Sequence, residues 1–198
     1  MKIAITGHTN GIGRAIYDKL KEEHSVVGFS PANGYNISNE RSRNSIVEQA
    51  KNFDVFINNA FHKTGQTILL QEFIKIWNNC RGKLIVHISS KLILMELKID
   101  KNIRGAESQG VKVKDYVKSK QEQQQIILES RKSQGPSVSN ISPGPVNTEL
   151  GSILTCKKLD PNDVANAVLF CIDNKDTMLL EEITVDVPNQ PWSEISFK

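Results

Sequence analysis

Lys2-Ile3-Ala4-Ile5-Thr6-Gly7-His8-Thr9-Asn10-Gly11-Ile12-Gly13 opens the chain with an apolar run, glycines spaced G-x-x-x-G-x-G, and the start of a segment with helical periodicity. A strand, a glycine-rich turn and a helix in that order make a cradle for the phosphates of a dinucleotide. Glycine lets the backbone turn tightly and approach a ligand with no side chain between them. The N–H groups at a helix start add partial positive charge. On the helix that follows, Ile12, Ala15, Ile16 and Leu20 fall on one stripe, as packing on a sheet requires.

Working outward, apolar runs and helical patterns alternate. The sequence predicts strands at Lys2–Thr6, Ser25–Phe29, Asp54–Asn58, Lys83–Ser89, Ser137–Ser142 and Glu182–Val187. Between them it predicts helices at Gly11–Glu23, Asn39–Asn52, Thr67–Asn79, Asp115–Arg131 and Asp160–Asp173. Lys83–Ser89 is almost continuously apolar, the mark of a strand buried on both faces. In the last helix Asp160 is placed to cap and Pro161 to occupy the first helical position, with Val164, Ala167, Val168 and Cys171 along one side. The alternation predicts an α/β fold: a Rossmann-type, doubly wound parallel sheet in three α/β/α layers. Residues 1–198 read as one dinucleotide-binding domain, with Lys91–Lys114 left unassigned as a lid, an extra helix or an insertion.

Composition narrows the function. A net charge of +3, with basic residues scattered among 22 acidic ones, gives no reason to expect nucleic acid or an anionic membrane as partner. No apolar run reaches the ~18 residues of a membrane helix, and the N-terminus enters a strand at once, so a cytoplasmic location is expected. Cys80, Cys156 and Cys171 are odd in number and far apart, which argues against a disulfide framework, and with the scattered His8, His24, His62 and His87 they predict no metal site.

Tyr116-Val117-Lys118-Ser119-Lys120 puts Tyr116 and Lys120 four apart on one helix face, a usable acid/base pair. A nearby ammonium favours the phenolate of a tyrosine whose ordinary pKa is ~10. Ser89-Ser90 stands at the carboxyl end of a strand, the edge where open α/β sheets bind ligands, and a serine there can hold a carbonyl oxygen.

With Thr6 before Gly7 and Ile12 between Gly11 and Gly13, the turn resembles the T-G-x-x-x-G-x-G of the short-chain dehydrogenase/reductase family. Tyr116-x-x-x-Lys120 is similar to that family's Y-x-x-x-K. Asn58-Asn59-Ala60 resembles its N-N-A-G with Phe61 in place of glycine, and Pro143-Gly144-Pro145-Val146-Asn147-Thr148 its P-G-x-V-x-T. The resemblance runs from Thr6 to Val187 and implies an oxidoreductase that moves hydride between a nicotinamide and a small carbonyl or alcohol substrate. It implies catalytic roles for Ser90, with Ser89 in reserve, Tyr116 and Lys120. It implies cofactor contacts from Gly7, Thr9, Asn10, Gly11, Ile12 and Gly13, from Asn58, Asn59 and Ala60, from Tyr116 and Lys120, and from Pro143, Gly144, Val146 and Thr148.

Asn36 and Ile37 stand where the family borders the adenine. Phe29-Ser30-Pro31 carries no carboxylate to repel a 2′-phosphate, and Ser30 can hydrogen-bond one, so NADP is favoured with NAD as the alternative. Two spacings depart from the family. Ser90 and Tyr116 are 26 positions apart, roughly twice the usual separation, and about 30 residues between Asn59 and Ser90 leave room for one helix. His62 falls where the family has a proton-relay asparagine, with a solvated loop histidine as the other reading. These departures keep a second function open, a dinucleotide-binding regulator without turnover. Association as a homo-oligomer is also left open.

Overall fold

The computed structural model describes residues 1–94, 113–189 and 196–197. In chain order its strands are β1 (Lys2–Thr6), β2 (Ser25–Phe29), β3 (Val55–Asn58), β4 (Leu84–Ile88), β5 (Ser137–Pro143), β6 (Leu154–Thr155), β7 (Glu182–Val185) and β8 (Ser196–Phe197). Its helices are α1 (Gly11–Leu20), α2 (Glu40–Ala50), α3 (Gly65–Ile76), α4 (Val113–Ser130) and α5 (Pro161–Asp173). Six strands form a parallel sheet in the order β2-β1-β3-β4-β5-β7, and β6 pairs antiparallel with β8. This is the Rossmann-type arrangement expected from the alternating pattern.

Side-chain alternation along the buried strands divides the core in two. Ile3, Ile5, Val55, Ile57, Leu84 and Val86 face the layer that carries Ile16 and Leu20 of α1 and Val164 and Val168 of α5. Ala4, Phe56, Ile85 and Val138 face the other layer, with Ile46 of α2, Leu69, Leu70 and Phe73 of α3 and Ile127 of α4. Strands buried on both faces must be apolar at odd and even positions alike, which is why they read as continuous runs. The α5 start follows its sequence signals. Asp160 accepts from the Asn162 amide (2.8 Å), the Asp163 carboxylate accepts from the Asp160 amide (2.9 Å), and Pro161 opens the first turn.

Several boundaries differ from the sequence expectation. Helix α1 stops at Leu20, three residues before Glu23, because the chain turns there into β2, where the Ser25 amide donates to Met1 O (3.0 Å). Helix α3 starts at Gly65, two residues before Thr67. A Cβ at 65 would stand 2.2 Å from the Ile37 carbonyl oxygen, so only glycine lets the first turn pack this tightly against residues 36–38. Within the unassigned stretch, Lys91–Leu94 form a 3-10 turn and α4 begins at Val113; residues 95–112 lie outside the described part.

Candidate functional site

The chain leaves β1 toward β2 on one side and reaches β3 on the other, so the order reverses between β1 and β3. Crevices for ligands open at such reversals, outside the carboxyl ends of the strands. At this edge Thr6, Phe29, Asn58 and His87 lie in register across β1, β2, β3 and β4. The Thr6 hydroxyl accepts the amides of Asn59 (3.1 Å) and Ala60 (3.0 Å), and Asn59 Nδ2 donates to Thr6 O (2.9 Å) and Gly7 O (3.3 Å). The segment Asn58-Asn59-Ala60 is thereby clamped to the glycine turn. Gly7 (φ 72°) and Gly11 (φ 53°) take left-handed conformations. Asn10 precedes α1 without a side-chain cap, and no acidic residue stands in the first turn, so the leading amides of α1 are uncapped by side chains.

Gly13 is the tightest point of this cradle. A Cβ there would stand 2.1 Å from Gly7 O and 2.5 Å from Asn59 Nδ2, which only a backbone shift would relieve. Gly13→Ala is expected to destabilise the fold by about 2–3 kcal/mol and to weaken dinucleotide binding more than about tenfold, through misplacement of the turn. Urea unfolding and cofactor titration of the variant measure both.

The turn Pro143–Thr148 closes the cradle from β5. Gly144 donates its amide to Val185 O (2.8 Å), and its missing Cβ leaves room for the Asp186 carboxylate, which pairs with Lys91 next to Ser90. Val146 is buried and bridges to Leu159, and the Thr148 methyl reaches the α-carbon side of Gly11, 3.0 Å from where a Cβ would be. An open groove of about 670 Å³ runs along these elements, lined in part by Asn10, Gly11, Arg14, Thr148 and Pro161. Thr9 and Ile12 are half-buried on the turn itself. Ile37 is buried and Asn36 exposed, and Arg43 Nη1 holds the Ile37 carbonyl (2.8 Å). Ser30 is only 1% exposed, and its amide and hydroxyl both engage Asn33 Oδ1 in a capping box (2.8 and 3.3 Å). The hydroxyl expected to meet a phosphate is thus committed inside the protein.

Ser90, Tyr116 and Lys120 come together at the carboxyl edge of β4. The Ser90 hydroxyl stands close enough to the Tyr116 phenol to favour its ionised form, so the long separation in sequence does not keep them apart. The buried Ser89 hydroxyl has no partner among the described residues. Lys120 Nζ lies 5.8 Å from the Tyr116 ring centroid. Burial pushes the Tyr116 phenol above its ordinary pKa, with the neighbouring Ser90 hydroxyl pulling the other way. The sequence expectation of a phenolate favoured by Lys120 is therefore corrected for this arrangement. Lys120 itself is 2% exposed, has no carboxylate partner among the described residues, and is lowered by burial to about 7.

Other residues around the pair carried no signal in the sequence. Lys120 Nζ donates to Gln66 Oε1 and to Ile88 O, each at 2.7 Å. Phe61 stands edge-on to Tyr116 (centroids 4.7 Å apart) and 5.5 Å from Lys120 Nζ, covering both. Behind them, Asn58 Nδ2 lies 3.3 Å from His87 Nδ1, which as acceptor leaves the proton on Nε2, facing Gln123 Oε1 (3.0 Å). Burial holds His87 well below the ordinary histidine range, so it is neutral at physiological pH. His62 accepts the Gly65 amide on Nδ1 (3.2 Å) at the head of α3, and it is Gln66 that reaches Lys120. Among the described residues no cluster of three or more His, Cys, Asp or Glu could hold a metal, and no helix is long and apolar enough to cross a membrane.

No family model matches this chain, and no curated protein matches it. Solved structures do. The 3-alpha-hydroxysteroid dehydrogenase from Pseudomonas sp. B-0831, complexed with NADH, superposes with a TM-score of 0.70 at 19% identity over 94% of this chain and 95% of that one. A short chain dehydrogenase from Burkholderia cenocepacia J2315 in complex with NADP gives 0.71 at 16% identity, over 94% and 88%. An alcohol dehydrogenase from the archaeon Thermococcus sibiricus, complexed with 5-hydroxy-NADP, gives 0.71 at 17% over 96% and 98%. The chain has the fold of the short-chain dehydrogenases/reductases.

Proposed function

We propose that the protein is an oxidoreductase of the short-chain type, which binds a nicotinamide dinucleotide across the β1/β3 edge and interconverts a small carbonyl compound and its alcohol. The observation that carries this reading is the meeting of Ser90, Tyr116 and Lys120 at the sheet edge beside a glycine cradle. The residues present fit the cofactor: the leading α1 amides lack a side-chain cap, and Gly7 and Gly11 take the left-handed conformations that fold the turn tightly in front of them. Bound there, the nicotinamide supplies or accepts the hydride.

The chain's own residues do the rest. The α1 amides and the Gly7–Gly13 backbone hold the pyrophosphate; Asn36 and Ile37 border the base, and Asn58, Asn59 and Ala60 line the middle of the site. Pro143, Gly144, Val146 and Thr148 close over the nicotinamide end. Ser90 holds the carbonyl oxygen. Tyr116, kept protonated by burial, donates the proton to that oxygen in the reducing direction. Lys120 has three N–H donors and spends two on Gln66 and Ile88, which leaves one for a ribose hydroxyl.

NADP is the preferred form in this proposal, because no carboxylate ends β2 to repel a 2′-phosphate. Ser30 is committed internally, so in this reading other groups meet the 2′-phosphate. Binding of NADPH and NADH, followed by oxidation of each against a panel of small ketones and aldehydes, tests the reading. Tighter NADPH binding and oxidation only with a carbonyl present are expected. Dinucleotide binding without turnover on any carbonyl would instead establish a binding regulator.

A further inference from the structure

Two oxygens from within the protein hold Lys120, Gln66 Oε1 and Ile88 O, and the first of them belongs to a side chain. Gln66, in the first turn of α3, is 0% exposed. Its Nε2 donates to Asn58 O at the end of β3 (2.9 Å) and to Ile88 O at the end of β4 (3.2 Å). Both contacts are to carbonyl oxygens, which only the amide nitrogen can satisfy, so the orientation of the amide is fixed and Oε1 must face Lys120 Nζ (2.7 Å). The Gln66 carbonyl in turn accepts Asn58 Nδ2 (2.9 Å). One glutamine thus ties the ends of two central strands to the lysine of the candidate site.

We infer that Gln66 is a positioning residue for Lys120: its Oε1 sets where the ammonium sits and how tightly it holds its proton. The inference rests on the proposed oxidoreductase site and adds to it a regulator of the lysine. A neutral amide oxygen fixes the ammonium through a dipole, whereas a carboxylate would lock it as an ion pair. Burial is what lowers the lysine, and a neutral partner leaves that lowering uncompensated where a carboxylate would oppose it.

Among the described residues the other titratable groups near the lysine are few. Tyr116 shares α4 with it, and the neutral His87 lies behind it on β4. Lys63 and Asp115 pair with each other on the surface, and His62 caps Gly65. On α3 the group that touches Lys120 is Gln66.

The test is a titration of the full chain without cofactor, labelled with 13Cε-lysine, with the Lys120 signal assigned by its loss in Lys120→Arg. The wild-type midpoint is expected at about 7. In Gln66→Met, which keeps the volume and removes the acceptor, it should fall by about one pH unit; in Gln66→Glu, which places a carboxylate there, it should rise by about one or more. The pH profile of carbonyl reduction should move in the same direction in each variant. If one variant fails to fold, the other still decides. An unmoved Lys120 midpoint in a folded variant overturns the inference. Since the titration needs no turnover, shifted midpoints in a chain that reduces no carbonyl would sink the oxidoreductase reading and leave the positioning role standing.

Discussion

Tyr116→Phe is expected to lower kcat/KM for carbonyl reduction by about 10³-fold while changing the dissociation constant for the dinucleotide by less than about tenfold. The asymmetry follows from what the hydroxyl does. In the bound state it makes at most one hydrogen bond to the cofactor, and a single neutral bond contributes about 1 kcal/mol. In the reaction it is the proton source for an oxygen that cannot leave as a free alkoxide near neutral pH. The variant keeps the aromatic ring that packs against Phe61, so the fold is expected to persist. Single-turnover reduction and cofactor fluorescence, measured on the same preparation, separate the two quantities. Equal loss of binding and turnover would place Tyr116 in the cradle and remove it from the chemistry; unchanged turnover would refute its role as the acid.

Lys120→Met is expected to abolish turnover and yet stabilise the protein near pH 7 by about 3 kcal/mol. Burial lowers the lysine from an ordinary 10.5 to about 7. That interval corresponds to roughly 5 kcal/mol by which the buried ammonium disfavours the folded state below pH 7. Methionine fills much of the same space but leaves Gln66 Oε1 and part of Ile88 O without a donor, which gives back about 2 kcal/mol. The sign with pH is fixed by which state holds the extra proton. Between about 7 and 10.5 the unfolded lysine is protonated and the folded one is not, so wild-type stability rises with pH across this window. The advantage of the methionine variant should therefore shrink as pH rises from 7, be gone near pH 9, and reverse by about 2 kcal/mol above 10.5, where only the lost hydrogen bonds remain. Urea midpoints at pH 6.5 and 9.5 read it directly, and a variant less stable than wild type at pH 6.5 would show that the lysine is a net stabiliser. Such trade-offs between stability and activity are expected where a charged group is kept dry for chemistry.

The fold was legible because its determinants are local. The strands β1, β3 and β4 are runs of mostly apolar residues, the helices carry stripes at helical spacing, and the glycines at 7, 11 and 13 and the Asp160-Pro161 start of α5 depend on chain conformation within a few residues. The helix ends were less legible. Gly65 belongs in α3 because the Ile37 carbonyl approaches it, a contact made across 28 positions that no local pattern records.

The candidate site divides the same way. Tyr116 and Lys120 share a helix face by spacing alone, but that Ser90 meets Tyr116 is a property of how β4 and α4 pack. Spacing also placed Lys120 near Tyr116 without saying what surrounds either. Burial raises the phenol and lowers the ammonium, and burial is set by Phe61, Gln66 and the strands beneath, contributed by three separate segments. The commitment of Ser30 to Asn33 and of His62 to Gly65 was equally hidden, since a hydroxyl or imidazole reads the same in sequence whether its hydrogen bond is free or used.

What the sequence by itself determined is the order of strands and helices and the residue types at the sheet edge, because backbone preference and hydrophobic period act over short range. Which polar groups meet, and which proton each one holds, only the tertiary structure decided, because desolvation and hydrogen bonding depend on neighbours that folding brings from far along the chain.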